Sequence, residues 1–188
     1  MSWLDWLVAV LGVANIVLIV RRSIWNFPVA LVMVSIFGVR LAEERLYSDA
    51  GLQVFFFAMN IYGWWAWTRN KGETGALVVE RLSNTARWSW VAGTALTTAL
   101  WGTAMARFTS ADFPWWDGAI AMISVAAQIL MTRRYLENWH GWILVNILSI
   151  PLYVIKGLYP QAGLFMINLV IAIAGLIEWQ KVRKAAQS

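Results

Sequence analysis

Eight side chains combine flat aromatic surfaces with carboxamide groups inside, or at the start of, long apolar segments. They are Gln53, Asn60, Trp64, Gln128, Trp139, Trp142, Asn146 and Asn168. The first three are spaced 7 and 4 residues apart and share one face of a helix, as do Trp139, Trp142 and Asn146, which are spaced 3 and 4 apart. Carboxamides offer both donors and acceptors, and tryptophan is the best cation–π partner. Such a set suits a ligand with an aromatic or cationic ring and several hydroxyl groups.

The same residue types also have simpler interpretations. Tryptophans at helix ends, such as Trp88, Trp115 and Trp116, are typical of the belt at a membrane–water interface. Trp139 begins its apolar segment and is open to that interpretation as well. A single Asn or Gln often joins two membrane helices by a hydrogen bond. Because several carboxamides occur together with two tryptophan pairs, we expect a binding site.

The elements that position these residues are membrane helices. Of the 188 residues, 60% are apolar and only 13% are charged, which is too few charges to cover a water-soluble surface. Segments that approach the ~20 residues needed to cross a bilayer lie at residues 3–20, 24–39, 50–67, 88–106, 115–131, 139–155 and 161–179. Only helices and closed barrels satisfy the backbone in lipid, and continuous apolar segments favour helices. The sequence therefore predicts an all-α membrane protein with seven spans.

The distribution of basic residues predicts the orientation of the chain. The odd-numbered connections and the C-terminal tail hold 11 Lys and Arg residues, whereas the opposite side holds 4. By the positive-inside rule the N-terminus lies outside and the C-terminus in the cytoplasm. The basic residues are scattered in ones and twos, so the net charge of +5 does not indicate a nucleic-acid partner.

The chain repeats itself at an offset of 112 residues. The first segment matches the fifth at 8 of 20 positions and the third matches the seventh at 8 of 22, including Trp-x-Asp, Arg-Arg and Leu-Tyr-x-x-Ala-Gly-Leu motifs. We expect repeat one at about 1–68, a linker loop and helix at about 69–110, repeat two at about 111–180, and a tail at 181–188. Two parallel three-helix repeats are an arrangement found in membrane transporters, which bind their substrate at the interface of the repeats near the bilayer midplane.

Several classes of function are disfavoured by what the sequence lacks. No Asp, Glu or Lys lies near the middle of a segment, which favours uncoupled transport over proton or sodium coupling. There is no phosphate-binding G-x-x-x-x-G-K-[ST] loop, no cysteine, and a single histidine, His140. No nucleophile–base pair is visible. We therefore expect neither an enzyme nor a bound metal or cofactor.

Two of the segments resemble a known family of proteins. Asn60-Ile-Tyr-Gly-Trp64-Trp65-Ala-Trp67, preceded by Gln53, and Trp139-His-Gly-Trp142-Ile-Leu-Val-Asn146 are similar to segments of the PnuC-type nicotinamide riboside transporters of bacteria. The resemblance implies a three-plus-one-plus-three fold like that of the SWEET sugar carriers, a trimer in the inner membrane, and facilitated diffusion. It also implies that phosphorylation traps the riboside inside the cell.

Other functions remain open at this point. A carrier for another vitamin or for a sugar on the same fold is the first alternative, and competition by free nicotinamide riboside distinguishes it. A membrane scaffold that transports nothing is the second alternative, and it predicts no uptake into liposomes.

The predicted orientation is tested with single cysteines, because the chain has none of its own. We expect cysteines placed at Ser83 and Ser188 to resist an impermeant maleimide in intact cells and to react after lysis, since both positions are predicted to be cytoplasmic. Rapid labelling of both positions from outside contradicts the topology.

Overall fold

The structure, a computed structural model, describes residues 3–43, 47–69 and 77–186. These residues form seven helices, one for each predicted segment: α1 Trp3–Val20, α2 Asn26–Glu43, α3 Tyr47–Arg69, α4 Asn84–Phe108, α5 Pro114–Thr132, α6 Asn138–Ile155 and α7 Tyr159–Ala185. The all-α prediction is therefore confirmed, with helix ends within six residues of the expected ones. Gly72 and Gly75, in the connection between α3 and α4, lie outside the described residues.

The helices differ in how clearly their composition marks them as membrane spans. In the described part of the chain, α5, α6 and α7 are long and apolar enough to cross a membrane, and α1 and α2 contain shorter apolar stretches. Helix α4 is rich in threonine, but Thr97 and Thr103 donate their hydroxyls to the carbonyls of Gly93 and Ala99 one turn earlier. A hydroxyl satisfied within its own helix is compatible with an apolar surrounding.

Six of the helices form a closed ring. Its order is α1, α2, α3, α5, α6, α7 and back to α1, and α4 packs on the outside against α5. Within the described residues, each contact of the ring has a counterpart at the 112-residue offset: α1–α2 matches α5–α6, α2–α3 matches α6–α7, and α1–α7 matches α5–α3. The two halves of the chain are therefore built and joined in equivalent ways.

The same turn ends α1 and α5. Arg22 and Arg134, 112 residues apart, have φ angles of 55° and 64°. In the first turn, the N–H groups of Arg22 and Ser23 donate to the carbonyls of Ile19 and Leu18 at 2.9 Å. These are the two bonds of a Schellman motif, and the second turn repeats both of them. An L-residue at positive φ costs roughly 1–2 kcal/mol, so each turn carries a local strain that other contacts must offset.

A buried asparagine begins the helix that follows each turn. Asn26 at the start of α2 and Asn138 at the start of α6 are fully buried. Their amide nitrogens donate to the carbonyls of Ser23 at 2.6 Å and Tyr135 at 2.7 Å. The side chain thus fixes the angle between the turn and the next helix in both halves.

Residues 77–82, which we call the linker strap, run across this end of the ring as an extended segment. The side chains of Leu77, Val79 and Leu82 are buried under the turns. The N–H of Glu80 donates to the carbonyl of Arg134 at 3.0 Å, and the Glu80 carbonyl accepts from Leu136 N–H at 2.9 Å. These two bonds make an isolated parallel bridge between the linker and the α5–α6 turn.

Ion pairs reinforce the attachment of the linker strap. The guanidinium of Arg134 pairs with the Glu80 carboxylate. The carboxylate of Glu137 accepts from the Arg87 guanidinium at 2.7 Å and from the Leu82 N–H at 3.1 Å. The ion pair with Glu80 therefore fixes the Arg134 side chain and helps to hold its backbone at positive φ.

Two glycines allow an aromatic ring to lie directly against a helix backbone. A Cβ added to Gly63 in α3 would meet the Phe27 ring at 2.5 Å, and one added to Gly175 in α7 would meet the Trp139 ring at 2.5 Å. The pairs Gly63–Gly175 and Phe27–Trp139 are both related by the offset of 112. The close approach of α2 to α3 and of α6 to α7 therefore depends on a missing side chain.

We expect Gly175→Ala to destabilise the protein by about 1–3 kcal/mol, because the new methyl group overlaps a ring that is packed on all sides. Thermal unfolding in detergent measures the effect. Gly163→Ala, on the same helix with nothing within 4 Å of the added Cβ, is the matched control and is expected to unfold at or slightly above the parent temperature. Equal unfolding temperatures for the two variants contradict the close-packing argument.

Candidate functional site

Four aromatic rings form a continuous cluster at the end of the ring that carries the arginine turns. Phe27 meets Trp67 edge-to-face at 5.0 Å, Trp67 meets Trp179 at 6.2 Å, and Trp179 meets Trp139 edge-to-face at 5.6 Å. All four side chains are buried. Since Phe27–Trp139 and Trp67–Trp179 are pairs at the 112-residue offset, the cluster has the twofold character of the ring. It forms a floor across the interface of the two halves.

Two hydrogen bonds join tryptophans of the aromatic floor to the opposite half of the chain. The indole Nε1–H of Trp67 in α3 donates to the carbonyl of Met131 in α5 at 3.4 Å. The indole Nε1–H of Trp179 in α7 donates to the carbonyl of Ile19 in α1 at 3.1 Å. The two acceptors, Ile19 and Met131, are also 112 residues apart. The two halves are therefore in direct contact at this end of the ring.

Two of the predicted carboxamides lie at the same depth beyond the floor. Asn60 precedes Trp67 by 7 residues, and Asn146 follows Trp139 by 7 residues on a helix of the opposite direction. At 1.5 Å per residue, both lie roughly 10 Å from the floor. Both side chains are buried. Helices α3 and α6 both contact α5 and, within the described residues, have no direct contact with each other.

Each of these asparagines is oriented by its own helix. The Nδ2 of Asn60 donates to the Phe56 carbonyl, and the Nδ2 of Asn146 donates to the Trp142 carbonyl, both at 2.8 Å. Because the amide nitrogen is turned toward the helix backbone, the amide oxygen is the atom that each side chain presents outward. Both residues can therefore accept a hydrogen bond from a ligand.

Other buried polar atoms have no hydrogen-bond partner among the described residues. Among them are Nε2 of Gln128, Oδ1 of Asn168 and Oγ of Ser149, besides the indole Nε1 of Trp139 in the floor. Leaving such a group unpaired costs about 1–3 kcal/mol, so each one calls for an explanation. Gln128 and Asn168 were predicted as site residues, whereas Ser149 was not. Its spacing of three residues from Asn146 was the signal that could have found it.

The predicted tryptophans are placed differently from one another. Trp139 is only 1% exposed and belongs to the aromatic floor, while Trp142 packs against that core and is partly buried. Trp64 is 39% exposed. Gln53 is half-buried, with its Cβ 3.2 Å from the position that a Cβ on Gly38 would take. Contact of these four side chains with a ligand stays a prediction.

The tryptophans predicted as an interfacial belt are not all alike. Trp88 is 73% exposed, as expected. Trp116, in contrast, donates its indole N–H to the Leu148 carbonyl at 3.0 Å and so joins α5 to α6. The ring of Trp115 lies against Gly102 of α4. Trp115 and Trp116 both connect helices, so a substitution at either position disturbs helix packing and is unsuitable as a control in a test of ligand binding.

The aromatic floor was not predicted from the sequence. Trp67 and Trp179 are identical at the offset of 112, whereas Phe27 and Trp139 differ in type and do not count as an identity. An offset comparison that counts all aromatic residues as equivalent finds both pairs. Among the described residues, no group of three His, Asp or Glu side chains is placed to hold a metal ion.

Comparison with known proteins identifies the family. A sequence model of the family described as nicotinamide mononucleotide transporter matches residues 2–181. The chain belongs to this transporter family. The resemblance inferred from the two tryptophan-rich segments is thereby confirmed, and the chain is a membrane transporter rather than an enzyme.

Individual relatives of this transporter family cover almost the whole chain. The nicotinamide riboside transporter PnuC of Escherichia coli (strain K12) is 30% identical, over 95% of this chain and 85% of that protein. The riboflavin/roseoflavin transporter RibM of Streptomyces davaonensis is 26% identical, over 94% and 84%. The crystal structure of the vitamin B3 transporter PnuC superposes with a TM-score of 0.82 at 26% identity, covering 98% of this chain and 83% of that one.

Proposed function

We propose that this protein carries nicotinamide riboside across the bacterial inner membrane by facilitated diffusion. The observation that carries the proposal is the 30% identity to the nicotinamide riboside transporter PnuC of Escherichia coli over 95% of the chain. The TM-score of 0.82 to the PnuC crystal structure supports it.

The chemistry of the site suits this substrate. Nicotinamide riboside joins a pyridinium cation and a carboxamide to a ribose, and the segments 51–68, 118–132 and 138–155 carry no acidic or basic residue apart from His140. Without a carboxylate nearby, a cationic ring is held by aromatic faces such as Trp142 and Trp64. The outward amide oxygens of Asn60 and Asn146 accept from the hydroxyls and the amide of the ligand, and Gln128 has a free donor.

We propose further that the helices form two three-helix repeats joined by α4, as in the SWEET carriers. The equivalent contacts in the two halves and the paired Arg22 and Arg134 turns support this arrangement. The basic end of the ring is then the cytoplasmic end, which places the N-terminus outside and the tail inside. In this conformation the aromatic floor closes the cytoplasmic exit, and release requires the bonds of Trp67 and Trp179 to break.

The assembly and the driving force follow the family resemblance. We expect a trimer, and within the described residues the face of α4 turned away from α5 has no protein neighbour, with Leu96 and Leu100 exposed. Uptake is driven by the concentration gradient and by phosphorylation inside the cell, because an added phosphate makes the product too polar for the uncharged pathway.

A second candidate substrate is riboflavin. The similarity to the riboflavin/roseoflavin transporter RibM, at 26% identity over 94% of the chain, favours it. Riboflavin is a larger, uncharged ring system with a hydroxylated chain, so competition with riboside uptake separates the two substrates.

The binding residues are tested by calorimetry on purified variants. We expect Trp142→Ala to lose a cation–π partner worth ~1–2 kcal/mol, and Asn60→Leu or Asn146→Leu to lose a hydrogen bond worth about 1–3 kcal/mol. Each change is expected to weaken riboside binding by roughly tenfold.

Trp88→Phe is the control for the binding test, because this exposed indole is remote from the two asparagines in sequence and lies at the start of α4. It is expected to bind like the parent protein. If the three site variants bind normally but unfold at lower temperature, these residues join helices and the assignment is wrong.

Transport energetics are tested in empty proteoliposomes. We expect riboside entry to stop at equal inner and outer concentrations, with or without an imposed proton or sodium gradient, because the seven apolar segments carry no carboxylate near their middles. Accumulation above the outside concentration without any trapping enzyme refutes the uniport.

A further inference from the structure

A cavity opens between the ends of α1 and α7, beside the aromatic floor but outside it. Its volume is about 400 Å³, and its lining is formed by Val20, Arg21, Arg22, Ala174 and Glu178. Three of the five lining side chains are charged. Among the described residues, neither Arg21 nor Glu178 makes an ion pair, and Arg22 only donates to the Leu77 carbonyl at 3.3 Å.

The other half of the protein shows what is missing at this position. Arg134, the counterpart of Arg22, is paired with the Glu80 carboxylate of the linker strap. Among the described residues no carboxylate of repeat one pairs with Arg22, although the buried Nε atoms of Arg22 and Arg134 are alike in having no partner. The same left-handed arginine turn therefore holds an anion in one half and faces a cavity in the other.

The charges of the cavity select the kind of anion that fits. Two arginines favour a phosphate, which accepts several charge-assisted hydrogen bonds at once. Glu178 repels a simple anion and attracts a cation. Its counterpart at the offset is Ala66, so this carboxylate is specific to the cavity in repeat one. A zwitterion that carries a cation a few bonds away from a phosphate satisfies all three side chains.

The surroundings point to a lipid as the source of that group. Helix α7 carries exposed apolar side chains in the two turns before Glu178. They are Val170, Ile173 and Ile177. The cavity thus lies where a membrane-spanning helix reaches the interface, with an apolar surface below it for acyl chains. Basic pockets between helices on the cytoplasmic side are suited to lipid headgroups.

We infer that this cavity binds the headgroup of a phosphatidylethanolamine molecule from the cytoplasmic leaflet. Its phosphate lies against Arg21 and Arg22, and its primary ammonium lies against Glu178. The lipid supplies to repeat one the anion that Glu80 supplies to repeat two, and it holds the Arg22 turn from the membrane side.

Native mass spectrometry of the purified full-length protein tests the inference. The probes are phosphatidylethanolamine, phosphatidylcholine and phosphatidylglycerol with matched acyl chains, and the variants are Arg21→Gln and Glu178→Gln. Both substitutions are at exposed side chains. Arg133→Gln is the matched control, since Arg133 is the exposed counterpart of Arg21 in the other half.

We expect the parent protein to retain one phosphatidylethanolamine in preference to the other two lipids. Arg21→Gln is expected to weaken that binding by roughly tenfold, which is about 1.4 kcal/mol, while Arg133→Gln leaves it unchanged. Glu178→Gln is expected to abolish the preference for the primary ammonium over choline and to improve retention of the anionic phosphatidylglycerol.

Several results overturn the inference. Equal retention of the three lipids by the parent protein excludes a selective headgroup site. Equal binding by Arg21→Gln and Arg133→Gln places the lipid elsewhere, and a preference that survives Glu178→Gln removes the role of the carboxylate. Displacement of the lipid by free phosphoethanolamine or inorganic phosphate shows a site for soluble anions instead.

Discussion

The indole N–H groups of Trp67 and Trp179 need acceptors in a place where water is excluded, and each finds one at the end of a helix in the opposite half. The acceptors are the carbonyls of Ile19 and Met131, which already accept the N–H of the arginine that follows in the turn. A carbonyl has two lone pairs, so one atom serves both the turn and the indole. The helix ends, the arginine turns and the contact between the halves are consequently parts of one hydrogen-bonded unit, which joins α1 to α7 and α3 to α5.

The symmetry of this unit does not extend to the polar residues beyond it. The predicted carboxamides have apolar counterparts at the offset of 112: Ala172 for Asn60, Ile16 for Gln128 and Val34 for Asn146. The scaffold thus follows a twofold axis, whereas the polar groups that the interface encloses do not. A duplicated scaffold supplies a closable passage, and divergence at a few positions gives it the asymmetry that a ligand with a ring at one end and a sugar at the other requires.

Much of the fold was predictable, because the lengths of the apolar segments and the offset of 112 are properties of the residues themselves. The seven helices and the equivalence of their contacts follow from these. The linker strap was not predictable, since burial of Leu77 and Val79 depends on where the α5–α6 turn lies in space. The residue types of the site were predictable, but the part that each residue plays was not. The sequence places Trp139 and Trp142 on one helix face. In the structure the Trp139 ring packs into the aromatic floor, because Gly175 leaves room for it. Spacing along one helix shows which side chains share a face, but only the neighbouring helix decides what that face meets.

The bond between Trp179 and Ile19 joins residues 160 positions apart in the chain. A ribosome delivers α1 to the membrane long before α7, so the first helix waits through the synthesis of five others before its final neighbour arrives. Until then the ring of helices is open between α1 and α6, and the faces of these two helices that α7 will cover are accessible to lipid. Trp67 meanwhile lacks its contact with the Trp179 ring. Closure of the ring is therefore decided by α7. A nascent chain that stops short of it presents an unclosed edge, which membrane chaperones and proteases can recognise as the mark of an unfinished molecule.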